Sequence, residues 1–124
     1  MAVLDTNFLV ALDAGDGAAI DLLAQMHKDG EVPRVPSLVA VEYAHHFPDP
    51  AMVIETICRT LEYEDTSTAW AFHATRLRQR LHQEGARIRH ADFWIAAFAD
   101  LHREAVITKD GRHFEAMGIP TRAW

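Results

Sequence analysis

Four carboxylates in this 124-residue chain stand where a fold would ordinarily place apolar side chains. Asp5 follows the short apolar run Ala2-Val3-Leu4 and opens Asp5-Thr6-Asn7-Phe8-Leu9. Glu42 lies inside the helix-like run Ser37-Leu38-Val39-Ala40-Val41-Glu42-Tyr43. Asp92 opens the apolar run Phe93-Trp94-Ile95-Ala96-Ala97-Phe98-Ala99, and Asp110 follows Ala105-Val106-Ile107 in Thr108-Lys109-Asp110-Gly111. A buried acid is costly unless it is paired or coordinates a cation. Four such acids point to a hard divalent ion, and hence to phosphoryl-transfer chemistry.

Each acid alone has a plainer explanation. Asp before a helix is a common N-cap, which would account for Asp5. Asp92 would suit the start of a helix through the macrodipole, and Asp-Gly at 110–111 is a turn signal. Glu42 is the most telling. Leu38, Val41, Glu42 and His45 recur at helical spacing, which predicts that the acid lies on the apolar stripe of its helix. Thr6, Asn7 and Thr108 are candidates to orient the carboxylates through hydrogen bonds.

The elements that must position these acids can be read from periodicity and punctuation. Residues 2–5 predict a short buried strand and 6–13 a short helix. Ile20, Leu23, Met26 and His27 predict a helix over 17–29, ended by Lys28-Asp29-Gly30. An extended segment at 31–36 has prolines suited to strand ends. Ser37 is the expected N-cap of a helix that stops near Phe47, because Pro48-Asp49-Pro50 cannot continue it. A further helix spans 51–61, with Cys58 expected in the core beside Ile54, Ile57 and Leu61. A brief strand near 61–63 follows. Thr66 or Ser67 caps a helix carrying Trp70, Ala74, Leu77 and Leu81 on one face. Asp92 begins a buried helix to about Arg103. A strand at 105–108 and a last one near 119–121 complete the chain.

Short apolar strands alternating with helices imply an α/β fold with a parallel sheet covered on both faces. Ligands in such sheets bind beyond the carboxyl ends of the strands. Asp5 and Asp110 both fall there.

The length suits one domain over 1–124, and a hydrophobic content of 49% suffices for a core. No apolar run approaches the roughly 20 residues of a membrane span, and no signal peptide is visible. Cys58 is the only cysteine, which fits a reducing cytoplasm. The formal net charge of −6 disfavours a generally basic nucleic-acid binder. Even so, Arg76, Arg78, Arg80, Arg87 and Arg89 cluster in one stretch and supply a candidate basic face. Histidines 45, 46, 90, 102 and 113 lack the spacing of a zinc site. No glycine-rich phosphate loop or nucleophile elbow is present.

Asp5 in Leu4-Asp5-Thr6-Asn7, Glu42 in Val41-Glu42, Asp92 in Ala91-Asp92-Phe93-Trp94-Ile95-Ala96-Ala97 and Asp110 in Val106-Ile107-Thr108-Lys109-Asp110 resemble, in that order, the motifs of the PIN-domain ribonucleases. The compact spacing resembles the VapC-type toxins of toxin–antitoxin pairs. The resemblance implies a three-layer sandwich with a short, mainly parallel central sheet flanked by helices. It further implies a metal-dependent endonuclease whose four acids hold one or two Mg²⁺ or Mn²⁺ ions and whose products carry a 5′-phosphate and a 3′-hydroxyl. Asp5 and Asp92 would then be the nearest ligands, with Glu42 and Asp110 direct or through water, and the five arginines would hold the RNA backbone. Many relatives carry another acid after the last motif, where this chain has Gly111-Arg112-His113-Phe114. The number of ions therefore stays open, and His113 is a possible substitute contact.

The expected partners are RNA, an antitoxin and a second copy of the chain. A basic or aromatic antitoxin tail would enter the acidic pocket, and its apolar helix would lie between the helices at 17–29 and 37–61. Two other readings remain: an inactive PIN-like scaffold, and a Mg²⁺-dependent phosphotransfer enzyme. The latter needs a second Asp two residues after Asp5, where this chain has Asn7.

Overall fold

The computed structural model describes residues 1–85, 87 and 89–124. The elements run β1 (Ala2–Leu4), α1 (Thr6–Asp13), α2 (Gly17–Lys28), β2 (Pro33–Pro36), α3 (Ser37–Ala44) and α4 (Pro50–Thr60). They continue with β3 (Glu62–Glu64), α5 (Thr68–Gln83), α6 (His90–His102), β4 (Ala105–Ile107), α7 (Arg112–Ala116) and β5 (Thr121–Arg122). The five strands form one sheet in the order β3-β2-β1-β4-β5, and every pairing is parallel.

β1 occupies the centre, and all three of its residues are buried. The chain first builds outward on one side of β1 through β2 and β3. It then crosses to the other side for β4 and β5. The reversal lies between β1 and β4, and a parallel sheet leaves a crevice at the carboxyl ends of the strands at such a point. Leu4 pairs with Ile107, so Asp5 and Thr108 leave the sheet side by side. The backbone keeps them together: the Asp5 amide donates to the Ile107 carbonyl at 3.2 Å.

β2 is internal to the sheet, yet it begins and ends with proline. The two prolines sit at its termini, where the missing donors disrupt the ladder least. α6 packs on β1 and β4. Its buried face includes Ala96, Ala97 and Ala99, whose small side chains permit close approach, with Phe93, Ile95 and Phe98 filling the core. Gly111 follows from proximity, not from backbone conformation. A Cβ there would lie 2.5 Å from the Thr121 hydroxyl oxygen, so only glycine lets the loop after β4 pack on β5.

Several expectations require correction. Ser37 does not cap α3: the capping position is Pro36, without a side-chain bond, and Ser37 Oγ accepts from the Thr66 amide at 3.4 Å. Ser67 does cap α5, accepting from the Trp70 amide. Cys58 is exposed, because it lies one residue, about 100° of helix rotation, past the buried Ile57. In α2 the buried residues are Ala19 and Met26, whereas Ile20 and His27 are exposed. The last strand, Thr121–Arg122, starts at the end of the segment expected to begin it, and α7 appears where no helix was expected. Among the described residues, no helix is long and apolar enough to cross a membrane.

One ion-pair network ties the sheet to the end of α6. Arg34 of β2 reaches Glu104, just before β4, with Nε and Nη2 each about 3.2 Å from Oε1, and it also pairs with Glu64 of β3. Glu104 is only 5% exposed. Removing one partner of a buried pair leaves an uncompensated charge. Glu104→Ala should therefore cost about 3 kcal/mol in urea unfolding, the low end of that range because Glu64 remains. Glu104→Gln should cost less, and a loss below about 1 kcal/mol for the alanine variant would show that the pair does not hold the sheet.

Candidate active site

The site begins with Asp5, which serves two purposes. It caps α1, its Oδ1 accepting from the Thr6 amide at 2.7 Å. Its Oδ2 accepts from the Thr108 hydroxyl at 3.0 Å, across a separation of 103 residues. The Thr6 hydroxyl in turn donates to Glu42 Oε2 at 2.7 Å. Glu42, Thr6, Asp5 and Thr108 thus form one hydrogen-bonded chain spanning α3, α1, the end of β1 and the end of β4. Both threonines present a donor to a carboxylate and fix which lone pairs remain available. Asn7 is exposed and joins none of these bonds.

Burial pushes the Asp5 carboxyl above its ordinary value of 3.8. The Thr108 and Thr6 hydrogen bonds oppose that rise, and the negative charges of Asp92 and Glu42 add to it. Asp92, on the first turn of α6, is half-buried and also raised, first by desolvation. His113 and Arg89 favour its charged form, whereas Glu42 and Asp110 disfavour it. Asp5, Glu42 and Asp92 are therefore within electrostatic reach of one another, and Asp110 is within reach of Asp92.

Asp110 differs from the others. It is exposed, and Arg112 grips both carboxylate oxygens, Nε to Oδ1 and Nη2 to Oδ2, each at 3.0 Å. These bonds hold its carboxyl at about 2. Arg112 thus engages Asp110 in an ion pair that Asp5 and Asp92 lack. The sequence carries one signal for Arg112 as its partner, a spacing of two residues. His113 is exposed and attracts both Asp92 and Asp110 electrostatically.

Glu42 is not on the buried stripe of α3. That stripe is Val39, Ala40 and Ala44, while Glu42 is exposed and Val41 is 59% exposed. The wet face of α3 instead borders an open cleft of about 510 Å³, lined by Ser37, Leu38, Val41, Glu42, Ala91 and Trp94. A helix periodicity cannot separate a core stripe from a cleft stripe, because both can carry apolar residues. Two further residues brace the loop after β4: Trp124 packs edge-on to Phe8 at 5.1 Å, and Lys109 Nζ lies 5.6 Å above the Trp124 ring.

Among the described residues, no three of His, Cys, Asp and Glu stand close enough to hold an ion as they are. The donor set nevertheless suits a hard cation. It is wholly carboxylate in kind, and two members sit where burial and like charge disfavour ionisation, a cost that a cation relieves. Mg²⁺ keeps several of its waters, so carboxylates can hold it partly at second hand.

The arginines fall into separate groups. Arg89 is exposed and near Asp92, and Arg87 and Arg78 are exposed. Arg76 and Arg80 line a pocket between α5 and α6 with His73, Leu77 and Asp100.

Comparisons with known proteins bear on the family and the fold. A family model described as PIN domain matches residues 2–119. The chain belongs to the PIN-domain family. No curated protein sequence matches it. Among solved structures, a chain of Rickettsia felis VapBC2, bound to a DNA fragment from its promoter, superposes with a TM-score of 0.84 at 21% identity, covering 99% of this chain and 98% of that one. DNA-bound VapBC from Salmonella typhimurium gives 0.77 at 21%, covering 99% and 97%. VapBC-1 from nontypeable Haemophilus influenzae gives 0.77 at 16%, covering 99% and 97%. At these identities the likeness is one of fold, and the fold is the parallel sheet flanked by helices expected of a PIN-like domain.

The raised carboxyls make a stability prediction. For Asp5 and Asp92 the folded chain binds protons more tightly than the unfolded one, so stability falls as pH rises from 3.8 through the raised values. Without divalent metal, Asp92→Asn should melt higher than the parent at pH 7. The difference should shrink as pH falls and vanish below 3.8. Thermal melts in EDTA across this range test it, and a constant difference would refute the charge explanation.

Proposed function

We propose that this chain is a divalent-metal-dependent ribonuclease, an endonuclease acting as the toxin of a toxin–antitoxin pair. The observation that carries the reading is the hydrogen-bonded chain from Glu42 through Thr6 and Asp5 to Thr108, set at the reversal of the sheet with Asp92 in charge range. Asp5, Asp92 and Glu42 would hold Mg²⁺ or Mn²⁺, and Asp110 would join them once released from Arg112. When bound, the ion supplies a polarised phosphodiester and a water of lowered pKa.

The protein's own residues do the rest. Thr6 and Thr108 orient the carboxylates, as partners of metal ligands commonly do. Asn7, exposed at the rim, is left to meet substrate or solvent. The exposed arginines 76, 78, 80, 87 and 89 supply cationic charge for the RNA backbone, which makes binding salt-dependent. Cytoplasmic residence and a homodimer belong to the same reading.

The antitoxin proposal draws on the VapBC complexes whose fold this chain shares. An apolar groove of about 390 Å³ suits a partner helix. It is lined by Leu9, Leu12, Tyr43, Phe47, Met52 and Val53, among others. It therefore lies between α1, α3 and α4, one helix away from the expected place beside α2. A basic side chain of the same partner would be drawn to the acidic cleft.

Cleavage of structured RNAs in Mg²⁺ or Mn²⁺ tests the nuclease. Asp5→Asn and Asp92→Asn should abolish it, and Thr108→Val should slow it by about 10- to 100-fold while the fold survives. Equal cleavage by the aspartate variants would place the activity elsewhere. In a host cell, the intact chain should arrest growth, Asp5→Asn should not, and the neighbouring small gene should rescue. Normal growth on soluble expression would remove the toxin assignment.

A further inference from the structure

Where α5 meets α6, two arginines line a surface pocket. Arg34, Arg59, Arg112 and Arg122 each pair with a carboxylate. Among the described residues, Arg76 and Arg80 pair with none, although the chain has 18 Asp and Glu against 12 Lys and Arg. Arg78, Arg87, Arg89 and Arg103 likewise make no ion pair among the described residues, and what sets Arg76 and Arg80 apart is the pocket they share.

Their setting is a built one. His73, Arg76 and Arg80 recur at helical spacing on α5 and line a pocket of about 210 Å³ with Leu77 and Asp100. Its one acid is engaged: His73 Nε2 lies 2.6 Å from Asp100 Oδ2. Arg80 is held by a neutral partner, its Nη2 donating to the Met117 carbonyl at 3.2 Å. That bond fixes the guanidinium and leaves other donors of its planar fork unused. One turn before Arg76 on the same face stands Phe72, which is 68% exposed.

An exposed aromatic ring beside two arginines without carboxylate partners, one of them held in place, matches the two needs of single-stranded nucleic acid, a face to stack on and charge for the backbone. We propose that the His73–Arg76–Arg80 pocket is a phosphate-binding subsite for single-stranded RNA, with Phe72 stacking a neighbouring base. The inference rests on the ribonuclease reading for its choice of polyanion. Asp100 lies eight residues after Asp92 on α6, about 12 Å along the axis. A stacked strand covers that span in roughly four nucleotides at a 3.4 Å repeat. The subsite therefore grips the substrate at a distance from the acids and sets a minimum length for tight binding.

The test is fluorescence anisotropy with labelled single-stranded RNA in EDTA, over a series of salt concentrations and lengths from two to twelve nucleotides. Arg76→Gln with Arg80→Gln should weaken binding of the long RNA roughly tenfold and reduce the salt slope by about 0.7 per lost contact. Dinucleotides should not distinguish the forms. Phe72→Ala should weaken binding without changing the salt slope, a signature that loss of a phosphate contact does not give. Arg59→Gln, which removes an exposed arginine already paired with Glu55, should change nothing. Single-stranded DNA losing affinity to the same degree would support backbone recognition. Unchanged affinity and slope in the doubly substituted protein would overturn the proposal, as would an equal loss with the dinucleotide. If the intact chain cleaves no RNA but the arginine variants lose binding, the nuclease reading fails and the subsite stands. If it cleaves RNA and the variants bind and cleave as the parent does, the subsite fails and the nuclease reading stands.

Discussion

The structure depends on holding Asp5 where its charge is disfavoured. The carboxylate is 8% exposed and lies near two others, yet it is kept in place by one backbone and one side-chain donor. Each donor comes from a different part of the fold. The Thr6 amide exists there because α1 starts immediately after β1. The Thr108 hydroxyl is there because β4 pairs with β1 in a register that ends both strands together. The sheet order, the lengths of the two strands and the cap of α1 are thus parts of one arrangement, and a one-residue slip of β4 would point Thr108 to the other face.

The two charged regions of the sheet follow opposite rules. Near the start of β4, Arg34 balances Glu104 and Glu64, so burial of charge is compensated within the protein. At the carboxyl ends, the acids face one another with threonine hydroxyls and few cations between them. Among the described residues no ion pair engages Asp5, Glu42 or Asp92 there, and the fold tolerates the resulting destabilisation. Arg112 sits between these two cases, an exposed cation that satisfies Asp110 and can be exchanged.

Much of this was legible in the sequence for a simple reason. Buried strands of three or four residues leave little room for ambiguity, and an acid placed directly after one must lie at the sheet edge. Asp5 and Thr108 were readable on that ground, as was the parallel arrangement. The face of α3 was not, because Val41 and Glu42 belong to a cleft whose lining is as apolar as a core. Cys58 failed for a related reason: one step along a half-buried helix changes water for protein. α7 has five residues, too few to display a period, and Phe114 anchors it through tertiary packing. The pocket holding Arg76 and Arg80 depends on how α5 meets α6 and on the Met117 carbonyl, none of which a local pattern contains.

The hydrogen bond between Thr108 and Asp5 joins residues 103 positions apart, nearly the full length of the chain. Synthesis proceeds from the amino terminus, and domains generally fold as units. A growing chain on the ribosome can present Asp5, Thr6 and Glu42 long before β4 exists to pair with β1. Until that strand emerges, the central carboxylate lacks its second donor. A truncated or stalled product is therefore an incomplete site by construction. The arrangement around Asp5 is therefore completed only once β4 has emerged, after the elements that carry Asp5, Glu42 and Asp92.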